Sequence, residues 1–217
     1  MFLSLKFVSI LPEHSREVGP KHCAALLSVH AITGCDTTSC FKGVGKQKPL
    51  KILSKSPDII EVLGQIGETS CLKDEEIQCL EKYVCAMYGY SQFLKIDELR
   101  LHILNRKCGS GAKLDPKKTV DLSSLPPCFS SLKQHFLRSH LQIFIWKNAM
   151  DNFPEVLDPT CHGWKAIGDV LEPIWCDKPE LPEQLLEVME DDSGSESEEE
   201  VEYESEETDG SDNDENI

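Results

Sequence analysis

Apolar residues recur at helical spacing along most of the chain, and this pattern gives way to unbroken polarity at its end. Gly19-Pro20 has the form of a helix start, because the fixed φ and missing N–H of proline suit a first turn. Cys23, Leu26, Leu27, His30 and Ala31 follow at intervals that predict a helix, and Gly34 ends it. Asp36-Thr37-Thr38-Ser39 reads as a turn or a new N-cap, and Gly43-Val44-Gly45 as a second turn. Residues 46–53 read as a short helix that keeps Pro49 in its first turn. Ile59, Ile60, Leu63 and Ile66 predict another over residues 57–66.

The clearest amphipathic pattern covers residues 74–88. Ile77, Leu80, Val84, Met87 and Tyr88 share one face, acidic residues lead the segment, and Gly89 suits its end. Residues 96–104 read as a further helix. A strong one follows Pro126-Pro127 over about residues 130–150, with Leu132, Phe136, Ile143, Trp146 and Met150 as its apolar stripe. Residues 151–189 carry five prolines and no clear period, so they read as an irregular arm anchored by Trp164, Ile174 and Trp175. The expected fold is mainly α-helical.

Charge divides the chain. Its formal net charge is −16, with 38 acidic and 22 basic residues. Residues 190–217 hold 15 of the acids and no Lys or Arg, which leaves 23 acids against 22 bases, a net of −1, in residues 1–189. The body is near neutral, and the acidic tail has too little apolar surface to fold, so it is expected to be disordered. It solvates the chain, captures basic proteins, or folds back on the lysines near Lys46 and weakens DNA binding. Ser193, Ser195 and Ser197 each have a glutamate three residues on, a pattern suited to acidophilic kinases.

The 10 cysteines contain no C-x-x-C pair, and Cys23, Cys79 and Cys85 sit at core-like positions. Residues 1–11 are apolar but are interrupted by Lys6, with no basic leader and no small-residue cleavage site. They read as a buried strand or a truncated start. No run reaches the roughly 18 apolar residues of a membrane span. The expectation is a reduced, intracellular chain, in the nucleus in preference to the cytoplasm.

The string His30-Ala31-Ile32-Thr33-Gly34-Cys35-Asp36-Thr37-Thr38-Ser39, followed by Gly43-Val44-Gly45-Lys46, resembles the distal half of the flap-endonuclease-like (PIN-like) nucleases. In those enzymes an apolar helix ends in a glycine–x–aspartate turn, and a glycine-rich helical turn follows. The longer pattern resembles a family of transposon-associated animal proteins. It takes in Leu125-Pro126-Pro127, His135 with Arg138, Gly163-Trp164 and Pro173-Ile174-Trp175. The resemblance spans about residues 8–189. It implies a helical remnant of an α/β PIN-like domain: residues 1–106 as its distal part, 107–121 a linker, 122–189 a helix with its arm, and 190–217 the tail.

By the same resemblance Asp36 corresponds to a metal-binding aspartate, and Gly43, Gly45 and Lys46 to the turn that grips backbone phosphate. A carboxylate is a hard ligand suited to Mg²⁺. Backbone N–H groups at a glycine turn, with Lys46, Lys48 and Lys51, suit phosphate. Two-metal hydrolysis needs several carboxylates around ions about 4 Å apart. Only Glu13 and Glu17 precede Asp36. The expectation is therefore a noncatalytic derivative that retains weak nucleic-acid binding, with Asp36 as a vestigial ligand or a helix N-cap.

Two alternatives stand beside that reading. One is an active Mg²⁺-dependent nuclease completed by a longer product or a second chain. The other is an interaction module acting through the tail. Cys161-His162 and Cys176 lack the paired spacing of a structural zinc site. His135, Arg138 and His140 read as a basic contact face or a solvated one.

Overall fold

Each helix begins and ends where its terminal chemistry dictates. In the computed structural model, which describes residues 19–108 and 122–177, α1 spans Pro20–Ile32 with proline in its first turn. Thr33 closes it, its Oγ1 donating to the Val29 carbonyl at 2.6 Å. Then come α2 (Gln47–Leu53), α3 (Pro57–Gln65), α4 (Asp74–Met87), α5 (Ile96–Cys108) and α6 (Phe129–Lys147). At the α4 start the Lys73 N–H donates to the Glu76 carboxylate at 2.8 Å, and three acids face the positive helix end.

The chain is mainly helical, and α1 lies at its centre, packed against α3 and α6. Close approach to α3 is possible because Gly64 has no side chain. A Cβ there would meet the Lys21 carbonyl at 3.3 Å, and beside it Ser28 Oγ donates to the Leu63 carbonyl at 2.6 Å. Ile32, Leu63, Leu80, Tyr83, Met87, Leu99, Leu132, Phe136 and Ile143 fill the core. Cys23 and Cys85 are buried and Cys79 half-buried, as small hydrophobes. Among the described residues no helix is long and apolar enough to cross a membrane.

Three expectations change. The last apolar helix stops at Lys147, so Met150 lies beyond it and is 82% exposed instead of completing the stripe. The arm is not wholly irregular: β1 (Trp164–Ile167) and β2 (Val170–Pro173) form an antiparallel hairpin in register Trp164–Pro173 to Ile167–Val170. Its two-residue turn places Gly168 at φ +59°. Trp175 is not a buried anchor, being 63% exposed, whereas Trp164 and Ile174 are half-buried. The expected strand at residues 1–11, most of the 107–121 linker, the acidic tail and its serines lie outside the described residues.

Candidate nucleic-acid interface

The segment after α1 is held by its own threonines. Thr38 is buried, and its Oγ1 donates to the Ala31 carbonyl at 2.6 Å, while the Cys35 N–H donates back to the Thr38 carbonyl at 3.2 Å. Thr37 Oγ1 donates to Gln142 on α6 at 2.6 Å. Asp36 therefore sits exposed at the crest of a pinned turn, not at the start of a helix. Gly34 allows the fold-back, with φ +105° and a Cys40 Cβ 2.8 Å from where its own Cβ would lie.

Downstream, Phe41 is buried edge-on to Tyr88 and His135. Gly43 takes φ +76° in the open, and Gly45 is open too. Lys46 turns back onto the end of α1: its Nζ donates to the Gly34 carbonyl at 2.9 Å and to His30 Nδ1 at 2.6 Å. The His30 ring stacks on Trp146, with centroids 5.6 Å apart. Burial lowers the His30 pKa, the nearby Lys46 lowers it further, and Asp36 opposes both. A neutral imidazole accepts the hydrogen bond from the Lys46 ammonium, which thereby caps the C-terminal end of α1.

Lys42, Lys46, Lys48, Lys51 and Lys55 are all exposed, and residues 37–57 contain no Asp or Glu. Lys42 also donates to Ser123. Gly43, Gly45, Lys46, Lys48 and Lys51 are thus each exposed along the stretch from the turn through α2. As a single carboxylate, Asp36 does not fit the several-carboxylate requirement of two-metal hydrolysis. No group of three His, Cys, Asp or Glu side chains suited to a metal occurs among the described residues.

The basic residues of α6 are placed otherwise than expected. His135, Arg138 and His140 are 6%, 4% and 1% exposed, so they form neither a contact face nor a solvated one. The arm covers Arg138 and His140, whereas His135 lies against Phe41 with its Nε2 2.8 Å from the Ile32 carbonyl. Arg138 Nη1 donates to the carbonyls of Gly163 at 3.1 Å and Ile174 at 2.6 Å, and Trp175 lies over the guanidinium at 5.5 Å. His162 stacks nearly parallel on His140, centroids 5.5 Å apart. The two nitrogens of His162 face the carbonyls of Asp158 at 2.8 Å and Ser70 at 3.1 Å. Cys176 Sγ donates to Ser130 Oγ at 3.1 Å, and Cys161 is exposed.

Gly163 makes this cover possible. At φ +78° a Cβ would lie 2.6 Å from the Gln134 carbonyl, so only glycine lets the arm reach α6. Burial pushes the His135 and His140 pKa values down to about 4. The charge of Arg138 adds to this at His135, and the neighbouring His162 adds at His140. Sequence reading also missed Glu81. It is 1% exposed and accepts from the Ile96 N–H at 2.7 Å and from Lys95 at 3.2 Å, holding the start of α5. Its helical spacing from Ile77 and Val84, on the apolar face of α4, was the available signal.

No family model, curated protein or solved structure matches the chain. The functional reading therefore rests on the residues themselves.

Proposed function

We propose that this chain is a noncatalytic derivative of a flap-endonuclease-like, transposon-associated protein that binds nucleic acid through its basic segment. The observation that carries the reading is the set of five exposed lysines in residues 37–57, uninterrupted by any carboxylate. Such a stripe gathers phosphates by releasing their counterions, which gives affinity without sequence preference. The turn pinned by Thr37 and Thr38 leads directly into this lysine-bearing segment.

The test is incubation of the purified chain with a labelled 5′-flap DNA in Mg²⁺ and in EDTA, beside Asp36→Ala. The expected result is salt-sensitive binding with no cleavage in any arm, unchanged by the substitution. Cleavage that needs both Mg²⁺ and Asp36 would overturn the noncatalytic reading, and absence of binding at low salt would overturn the whole.

A further inference from the structure

Buried cations are ordinarily paired with an acid, and among the described residues Arg138 is not. It is 4% exposed, its Nη1 donates to two main-chain carbonyls, and it forms no ion pair among the described residues. Burial alone lowers its pKa, with no carboxylate acting against it. Arg138 forms part of the wall of a cleft of about 300 Å³ between the post-α1 turn and α6. Phe41, Tyr88, Leu125 and Trp175 supply the apolar and aromatic surface of that cleft, and His135 borders it. The volume is at the small end of ligand sites, suited to one ring system with an attached anion and too small for a duplex. Lys42 stands in the lining, so the cleft opens directly onto the basic segment.

We propose that this cleft receives one unpaired nucleotide of a single-stranded nucleic acid, its phosphate neutralising Arg138 and its base stacking on Trp175. The inference rests on the nucleic-acid reading above and names the form of substrate. Trp175 suits the role, since one side covers the guanidinium while 63% of the residue is exposed. Exposed aromatics beside a basic track are how single strands are held without reading sequence. A paired base inside a duplex cannot present its face to such a platform, so the cleft favours single strands over duplex.

The test uses the full chain with two labelled probes of equal phosphate number, a thymidine oligonucleotide and a blunt duplex. Wild-type protein is expected to prefer the single strand. Trp175→Ala, at an exposed position that does not threaten the fold, is expected to weaken single-strand binding about five-fold or more while leaving duplex binding unchanged. Equal effects on both probes, or no effect on either, would overturn the cleft. A Lys48→Glu/Lys51→Glu protein separates the two readings, because it weakens both probes if the basic segment binds. If that double variant binds both probes as wild type does, the basic-segment reading fails, and the Trp175→Ala comparison still decides the cleft.

Discussion

Two regions of like charge have opposite fates in this molecule. The lysines of residues 37–57 stand in solvent, whereas Arg138 on α6 is 4% exposed beneath the arm. Local sequence is not what separates them, since both lie in mixed polar and apolar stretches. The difference is a later segment. Residues 158–176 fold over α6, where Gly163 permits close approach, and among the described residues no hydrogen bond from the arm reaches Lys48 or Lys51. What covers a charge in this fold decides whether it stands in solvent or bonds to main-chain carbonyls.

The largest effect expected from that contrast is acid lability. His135 and His140 have folded-state pKa values of about 4, below the usual 6.5. The unfolded chain therefore binds protons first as pH falls. Their contribution is complete above about pH 6.5 and is lost as pH drops toward 4. Urea titrations should show stability falling by about 3 kcal/mol in total between pH 7 and pH 5. A flat profile would mean that the imidazoles are solvated and the cover is absent.

Next is the cover itself. Gly163→Ala should cost about 2–3 kcal/mol in thermal or urea unfolding, because the new Cβ meets a main-chain carbonyl at a left-handed position. Gly168→Ala, also left-handed at φ +59° but with nothing within 4 Å, should cost only about 1 kcal/mol. Equal losses would remove the steric argument. Lys46→Met sharpens the other side of the comparison. Although exposed, Lys46 caps α1, so its loss should cost about 1 kcal/mol. Lys48→Glu/Lys51→Glu should move stability by less than about 0.5 kcal/mol.

Much of the helical framework was legible. Asp74-Glu75-Glu76, the spacing of Ile77, Leu80, Val84 and Met87, and Gly89 locate α4 to within a residue, because start, stripe and stop agree. Pro20 and Gly34 do the same for α1. The second buried face of α6 was not legible, since Arg138, His135 and His140 look like surface residues until the carbonyls of Ile174, Ile32 and Thr69 are brought to them from distant positions. The hairpin had a local signal: Gly168-Asp169 lies between Lys165-Ala166-Ile167 and Val170-Leu171-Glu172. The prolines around it masked that signal. At the candidate site, sequence identified the lysines and glycines. It did not show that Lys46 serves the fold, because His30 and Gly34 reach it only through the turn.

The most direct test of the account is the salt dependence of nucleic-acid affinity for wild type and Lys48→Glu/Lys51→Glu, read by anisotropy of a labelled DNA between about 50 and 200 mM salt. The account predicts weaker binding at every salt concentration and a slope of log K against log salt reduced by about 2, near one unit for each phosphate that a lysine no longer neutralises. An unchanged affinity and slope, from a variant that melts as wild type does, would contradict it.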